Sequence, residues 1–305
     1  MKKIPVLFLI FCREEITLKT FQSIRNYQPD VLYIAADGGR VEKPGESERC
    51  EQTRKSVLNA IDWDCNVKTL FRGENLGCTN AVSSGISWFF EHEEYGIIIE
   101  DDCWIHSDFY ALCENLLPAY RHEEKIMLIA ALNLTPDLTH ADQLVFTNIS
   151  LIWGWASWRR AWKKMDMNMV EWRSYKFSKL IKNFGLTVAF FMFYYYSKAY
   201  RNKHYGTWDT RWAFSVLANE GLCISSTVNL SKNIGIEEGG THYEKGDVDP
   251  YTHLPVGGIK LPLQMPERIE LTRKKLLAER KEFIRIRKIG LMKIIRNFFC
   301  KFSGK

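Results

Sequence analysis

The sequence lacks the cysteine pattern of a zinc site or a disulfide framework. Its eight cysteines are scattered through the chain, with no C-x-x-C pair and no histidine at ligand spacing. They lie at positions 12, 50, 65, 78, 103, 113, 223 and 300. This usage favours free thiols, and we expect the protein in the reducing cytoplasm.

Long hydrophobic runs are also missing. The N-terminal stretch MKKIPVLFLIFCREE has only about eight apolar residues before Arg13, and no small-x-small cleavage site follows. The run from Leu186 to Tyr196 is well under the roughly 20 residues that cross a bilayer. We therefore predict that the first stretch is the first β-strand and that the second is a buried helix.

The body of the chain carries no excess of positive charge. From Glu267 to Lys305 there are 13 Lys or Arg against four Asp or Glu, a net charge of +9, whereas the whole chain is +6. The basic residues are thus concentrated in the tail, which argues against a nucleic-acid groove through the folded body. Neither G-x-G-x-x-G nor G-x-x-x-x-G-K-[ST] follows the first apolar run, which disfavours a dinucleotide or P-loop site.

The chain does have a globular composition, with 46% hydrophobic and 13% aromatic residues, and an alternation of strand-like and helix-like segments. Strands are predicted at 6–11, 31–35, 67–71 and 96–99, and helices at 15–27, 47–62 and 79–92. This order predicts an α/β fold with a parallel sheet covered on both faces. Ligands of such sheets bind outside the carboxyl ends of the strands. The residues expected at that edge are Arg13, Asp37, Asn75, Gly77 and the acids 100–102.

Three consecutive acids, Glu100, Asp101 and Asp102, directly follow the apolar run Ile97–Ile99. Surface charge runs seldom follow directly on a buried strand, and three adjacent carboxylates repel one another. Hard oxygen ligands suit Mg²⁺ or Mn²⁺, so the triplet predicts a metal or phosphate role.

Other segments have an ordinary interpretation beside the functional one. Asp37-Gly38-Gly39 fits a plain turn, and Asn75-Leu76-Gly77 fits a plain helix start. Tryptophans at 153, 155, 158, 162, 208 and 212 recur at spacings typical of core packing. Trp208 beside Asp209 also fits a sugar ring stacked next to a proton acceptor. Both interpretations stay open at this point.

Taken in order, seven short motifs resemble the N-acetylglucosaminyltransferase I family, in bacterial form, whose members have the GT-A fold. They are FCR (11–13), ADGG (36–39), ENLG (74–77), IIEDDCWIHSDFY (98–110), WGW (153–155), TWDTRW (207–212) and NIGIEEGGTH (233–242). The resemblance implies one GT-A domain over 1–265, with a mixed, mostly parallel sheet flanked by helices. Its halves would be a Rossmann-like nucleotide-sugar half (1–105) and an acceptor half (106–265). A basic tail (266–305) follows.

The resemblance also implies a role for each matching residue. Asp102 would ligate Mn²⁺ (or Mg²⁺), which bridges the phosphates of a nucleotide sugar, and Asp37 would hold the uracil. Asp209 would be the catalytic base of an inverting transfer to a glycan or lipid-linked acceptor. The remaining expected donor contacts are Arg13, Arg72, Asn75, Gly77, Glu100, Asp101 and Trp208. A lid over the bound donor would include Gly235, Gly239, Gly240 and His242.

Several features depart from the family or leave alternatives open. Thr210 stands where the family has an acid after the base, and the segment 163–203 differs most from the family. A sugar-phosphate nucleotidyltransferase and a non-catalytic nucleotide-sugar-binding scaffold remain alternatives. In the tail, apolar residues between Ile284 and Phe302 recur at helical spacing among basic ones. This fits either a docked terminal helix or a helix on the inner face of the cell membrane.

Overall fold

The computed structural model describes residues 2–141, 143–202, 207–235, 251, 254–260 and 262–286. Its first 100 residues alternate between strands and helices. The elements are β1 (Val6–Ile10), α1 (Glu14–Tyr27), β2 (Val31–Ala36), α2 (Glu46–Asn59), β3 (Asn66–Phe71), α3 (Gly77–His92) and β4 (Tyr95–Glu100). All seven segments predicted from the sequence are confirmed, with boundaries that differ by a few residues.

The rest of the chain completes the sheet and adds helices. Its elements are β5 (Cys103–Ile105), α4 (Ser107–Ala119), β6 (Ile126–Ala130), β7 (Leu144–Thr147), β8 (Trp155–Trp158), α5 (Arg159–Trp162), α6 (Phe177–Arg201), α7 (Trp208–Ala218), β9 (Leu222–Ser226) and β10 (Ser231–Asn233). A further helix, α8, is described over 273–286.

One sheet of eight strands runs through the molecule in the order β3-β2-β1-β4-β8-β6-β9-β7. β1 is parallel to β2 and β4, β2 is parallel to β3, and β6 is parallel to β9. β8 runs antiparallel between β4 and β6, and β7 runs antiparallel to β9. The predicted fold class, an α/β protein with a mixed, mostly parallel sheet flanked by helices, is confirmed.

The residues of β1 explain why both faces of the sheet are covered. Val6 and Phe8 pack in a cluster with α1, α2 and α4, whereas Leu7 and Leu9 pack in a cluster with α3 and α7. Successive side chains of a strand point to opposite faces. A strand that is apolar at every position therefore needs helices on both sides.

Four tryptophans form the centre of the layer that contains α3 and α7. Trp155 stacks on Trp208 with ring centroids 5.8 Å apart, and Trp162 lies 5.0 Å from Trp212. All four side chains are buried. The core packing that their spacing predicts is confirmed.

Helix α6 differs from the buried helix that the run 186–196 predicts. Gly185 interrupts the helix with φ 73° and ψ 164°. Beyond this kink, Val188 and Tyr196 face the protein, but an outer face remains exposed. We call the side chains of Leu186, Phe190, Phe191, Phe193 and Tyr194 the outer face of α6; each is between 42% and 63% exposed. Among the described helices, none is both long and apolar enough to cross a bilayer.

Helix α8 is joined to the body by hydrogen bonds from a buried ion pair that lies within the helix. Lys275 Nζ lies 3.2 Å from Glu279 Oε1 and donates hydrogen bonds to Asn133 Oδ1 (2.6 Å) and Thr135 Oγ1 (2.8 Å). Glu279 Oε2 accepts a hydrogen bond from Thr147 Oγ1 (2.8 Å). Burial lowers the pKa of Lys275 and raises that of Glu279. Each charge therefore depends on the other, and the first part of the predicted tail packs on the body.

Replacement of Lys275 by Met should lower the free energy of unfolding by about 3 kcal/mol, because it leaves the Glu279 carboxylate buried without its cation. Lys274→Met, on the exposed side of the same helix, is the matched control and should change stability by less than about 0.5 kcal/mol. Urea denaturation followed by circular dichroism measures both. If Lys275→Met and Lys274→Met change the free energy of unfolding equally, the buried Lys275 does not stabilise the packing of α8 on the body.

Candidate functional site

The carboxyl ends of β1, β2, β3 and β4 lie at one edge of the sheet, as their parallel pairing requires. Ile10 pairs with Ala36, and Ala36 pairs with Phe71. Buried Arg54 of α2 ties two of the loops that follow, since its Nη2 donates to the carbonyl oxygens of Asp37 (3.0 Å) and Arg72 (2.7 Å). The edge where the sequence predicts a ligand is therefore held together from inside the protein.

Asp37 and Asn75 build the start of α3. The Asp37 carboxylate accepts hydrogen bonds from the backbone N–H groups of Leu76 (3.0 Å) and Gly77 (3.1 Å). Asn75 Nδ2 donates to the Gly38 carbonyl oxygen (2.7 Å). The ordinary interpretation of both motifs, a turn and a helix start, accounts for these contacts. Their predicted contacts with a nucleoside remain predictions.

Arg72 lies beside the same turn. Its Nη2 donates to Ser84 Oγ on α3 (2.7 Å), and burial lowers the pKa of its guanidinium. The side chain is thus directed along α3, on the border of the space between β3 and that helix. This location is compatible with the predicted contact to a nucleoside.

Arg13 joins the acid triplet to the end of β1. Its Nη2 lies 2.5 Å from Asp101 Oδ1 and 3.0 Å from Asp102 Oδ2. Nη1 of Arg13 and Oδ2 of Asp101 are buried, and neither has a hydrogen-bond partner among the described residues. The arrangement therefore leaves one donor of the Arg13 guanidinium and one acceptor of the Asp101 carboxylate without a hydrogen bond among the described residues.

The surroundings of Glu100 destabilise the ionised form of its carboxyl group. Burial, and then the charges of Asp102, Asp101 and Asp209, raise its pKa well above the usual range, while Arg13 opposes them. The Arg13 guanidinium contacts only Asp101 and Asp102 of these acids. A proton or a cation is needed to balance the excess negative charge.

Asp209 lies in the same cleft, although 107 residues separate it in sequence from Asp102. It occupies the first turn of α7, where its Oδ1 accepts hydrogen bonds from the Thr210 backbone N–H (2.7 Å) and from the Thr207 hydroxyl. The structure brings the predicted base and the predicted metal-binding acids into electrostatic range of each other. No sequence spacing encodes this proximity.

Cys78, the second residue of α3, is a site residue that the sequence did not reveal. Cys78 is exposed at the surface, yet desolvation by its neighbours, and then the charges of four nearby carboxylates, raise the pKa of its thiol. These carboxylates belong to Glu100, Asp209, Asp101 and Asp102. The thiol therefore stays protonated at neutral pH and borders the acidic cluster as a neutral group.

The acidic cluster fits a cation that shares its ligands with a substrate. Among the described residues, no three His, Cys, Asp or Glu side chains are arranged as a metal site. A cation bound mainly by phosphate oxygens needs only one or two protein carboxylates. The side chain of Asp102 is 20% exposed and that of Asp101 only 8%. Asp102 is thus the better placed ligand, and a cation caged by protein side chains alone does not fit.

Gly235 packs directly on this cluster. A Cβ atom at this position would lie 2.7 Å from Asp102 Cβ and 3.0 Å from Arg13 Nη1. The Ile234 backbone N–H donates to the Asp102 carbonyl oxygen (2.8 Å), next to the pairing of β10 with β5. The first residue of the predicted lid therefore touches the site. Gly239, Gly240 and His242 lie outside the described residues.

The predicted donor contact of Trp208 needs correction. Its side chain is 1% exposed and stacks on Trp155 inside the core. At the start of α7 the indole and the adjacent Asp209 point in different directions, since neighbouring residues of a helix do not share a face. Trp208 therefore supports the helix that carries Asp209 and has no face to offer to a sugar.

A cavity of about 380 Å³ opens beside Asp209. Its walls come from the loop 148–153, the inner side of α6, the start of α7 and α8. Most of the lining is apolar or aromatic, including Val188, Met192 and Tyr195. Such a cavity with a few polar groups at its rim is typical of small-molecule binding sites.

Comparisons with known proteins give distant likenesses only. No protein-family model matches the sequence, and no curated protein matches it. Among solved structures, the chain is similar to UDP-glucose pyrophosphorylase complexed with UDP-glucose (11% identity, 75% of this chain and 91% of the other, TM-score 0.35). It is also similar to mouse xyloside xylosyltransferase 1 (11%, 71% and 82%, TM-score 0.33) and to HddC from Yersinia pseudotuberculosis (9%, 52% and 77%, TM-score 0.32). Likenesses at this level carry no argument about function, which has to come from the site.

Ionisation of Glu100 should lower the free energy of unfolding as pH rises. The raised pKa of Glu100 means that the folded state binds its proton more tightly than the unfolded state does. The contribution of Glu100 to stability is therefore fully present below its unfolded pKa of about 4.3 and is lost as pH rises above that value. Glu100→Gln should remove this contribution, so that the melting temperature of the variant falls less than that of the wild type as pH rises above about 4. The exposed control Glu48→Gln should show the same dependence of melting temperature on pH as the wild type. If Glu100→Gln also shows the wild-type dependence, the pKa of Glu100 is not raised in the folded protein.

Proposed function

We propose that the protein is a metal-dependent, inverting glycosyltransferase of the GT-A type. It would transfer a sugar from a nucleotide diphosphate, preferably a UDP-sugar, to a glycan or lipid-linked acceptor in bacterial surface polysaccharide synthesis. One observation carries the proposal: Asp209 at the start of α7 and the acid triplet at the end of β4 influence one another's charges across a single cleft. The ordered motifs of the sequence support the same assignment.

In the proposed donor site, residues at the ends of β1 and β4 would bind the diphosphate and the cation. A diphosphate would accept from Arg13 Nη1, the buried donor that has no partner among the described residues. Asp102 would hold the cation together with the phosphate oxygens. When bound, Mn²⁺ or Mg²⁺ supplies positive charge that stabilises the diphosphate leaving group. The turns at 37–39 and 74–77 would border the nucleoside.

The acceptor half of the proposal uses Asp209 and the adjoining cavity. The hydrogen bonds that Thr207 and Thr210 donate to Asp209 all go to Oδ1. Oδ2 is thus the atom that would take the proton of the acceptor hydroxyl. The acceptor oxygen would form its bond to the anomeric carbon from the face opposite the diphosphate. The bond to the diphosphate oxygen would break with its electron pair, which inverts the anomeric configuration.

The short loop after β1 favours a glycosyltransferase over a nucleotidyltransferase. Only Phe11, Cys12 and Arg13 separate β1 from α1. So short a connection, with no glycine and one basic residue, has little backbone to wrap around a triphosphate. The segment instead directs the guanidinium of Arg13 at the acids.

Incubation with a panel of nucleotide sugars, Mn²⁺ and a glycan acceptor mixture tests the proposal. Release of nucleoside diphosphate supports a glycosyltransferase. Release of pyrophosphate from a sugar phosphate and a nucleoside triphosphate would assign the chain to the nucleotidyltransferases instead. Tight binding of the nucleotide sugar with neither product would indicate a scaffold.

Asp102→Ala should abolish the metal-dependent part of donor binding and leave the fold intact. Loss of an outer-shell partner alone lowers metal affinity by about 10- to 100-fold, so loss of the ligand should lower it at least as much. Stability should hold or rise, because the variant removes one of several mutually repelling charges. Calorimetric titration of UDP-glucose with and without Mn²⁺ measures the effect, with exposed Asp64→Ala as control. Unchanged affinity in Asp102→Ala would remove Asp102 from the metal site.

Asp209→Asn should lower kcat by about 10² to 10⁴ and leave donor affinity near the wild-type value. Asparagine keeps an oxygen for the bonds from Thr207 and Thr210 but does not accept a proton at neutral pH. Asp137→Asn is the matched control, since Asp137 also accepts from a nearby threonine, through the backbone N–H and hydroxyl of Thr139. If Asp209→Asn turns over as fast as the control, another acid in the cleft is the base.

A further inference from the structure

The outer face of α6 is a continuous apolar surface. Leu186, Phe190 and Tyr194 follow one another at intervals of four residues and are 57%, 59% and 63% exposed. Phe191 and Phe193 flank this line at 46% and 42% exposure. Single exposed apolar residues need no explanation, but five large ones on 9 residues of one helix form a patch of the kind that marks an interaction surface.

Packing contacts within the protein fix the orientation of this face. Phe177, in the helix segment before the kink, packs on Phe190 (5.0 Å between ring centroids) and Phe193 (5.5 Å). On the inner side of the same helix, Val188 and Tyr196 are buried in the cluster with α7. The aromatic side chains are therefore presented by a packed helix with a fixed orientation.

Within the segment that contains α6 the charged residues all have one sign, although Lys179 pairs with Glu220, which follows α7 (3.4 Å). From Arg173 to Thr207 the sequence has seven Lys or Arg and no Asp or Glu. The exposed side chains of Lys182 and Arg201 lie on the two helix segments, one on each side of the apolar stretch. Lys198 Nζ lies 5.9 Å from the ring centroid of Tyr194. Two copies of this face would bring like charges together, whereas a negatively charged partner would be attracted.

We propose that the outer face of α6 binds the surface of an anionic lipid bilayer. Phenylalanine and leucine would enter the boundary between headgroups and acyl chains, tyrosine would lie at the headgroups, and the basic residues would contact anionic lipids. The helix lies on the membrane and does not cross it. This inference does not depend on the reaction proposed above, because it rests on the exposure, packing and charge of α6 alone.

Sedimentation of the full-length protein with vesicles tests the inference. The vesicles are phosphatidylcholine alone and phosphatidylcholine mixed with phosphatidylglycerol, each at low and high salt. We expect the protein to pellet with the mixed vesicles at low salt and to be largely released at high salt. Failure to pellet with mixed vesicles at low salt overturns the proposal.

Two sets of variants assign the contact to α6. Phe190→Ser, Phe191→Ser and Tyr194→Ser together should weaken vesicle binding by at least about tenfold. The matched control replaces three exposed apolar residues elsewhere, Val41→Ser, Leu58→Ser and Leu138→Ser, and should bind as the wild type does. Lys182→Gln with Arg201→Gln should weaken binding to the mixed vesicles by about fivefold for each charge removed.

Other outcomes would overturn the proposal. If the serine variant of α6 binds normally while Arg296→Gln with Lys301→Gln does not, the membrane contact is made by the tail. If light scattering shows a wild-type dimer that the serine variant converts to a monomer, the outer face of α6 is a contact between two copies. Circular dichroism and thermal denaturation of every variant verify that the fold is retained.

Discussion

The guanidinium of Arg13 is the interaction on which the candidate site depends. Parallel pairing of β1 with β4 brings this cation next to the acid triplet, where its Nη2 contacts both Asp101 and Asp102. Without a shared cation, acids at the end of a buried strand would repel one another and be costly to remove from water. Nη1 of the same guanidinium is buried and has no hydrogen-bond partner among the described residues. The residue that stabilises the strand ends thus also keeps one buried donor without a protein partner.

The sequence was sufficient to predict the sheet and its polar edge. Apolar runs of strand length separated by helical segments define parallel strands, and their carboxyl ends meet at one edge for geometric reasons. Glu100, Asp101 and Asp102 were found because acids directly after a buried strand are unusual. Asp37 and Asn75 were predicted because they follow strands at the same edge and lie in the ADGG and ENLG motifs, although their observed contacts are those of a turn and a helix start.

The orientation of individual helices could not be predicted. Trp208 and Asp209 are neighbours in sequence, but only the packing of α7 decides that the indole enters the core and the carboxylate faces the cleft. The apolar composition of α6 similarly suggested burial on all sides, because a hydropathy pattern does not reveal how many neighbours surround a helix. Cys78 and Arg54 carry no local signal at all, since their roles arise from contacts between distant segments.

The kink in α6 links the interior of the protein to its exterior. Gly185 adopts φ 73° and ψ 164°, a region essentially restricted to glycine, and a Cβ atom there would lie 3.1 Å from the Arg280 guanidinium carbon. The helix segment that follows supplies one wall of the cavity beside Asp209 on its inner side and the aromatic surface on its outer side. A change in this single backbone angle would rotate both surfaces together. The shape of the cavity and the orientation of the exposed aromatic surface therefore both depend on the backbone conformation of one glycine.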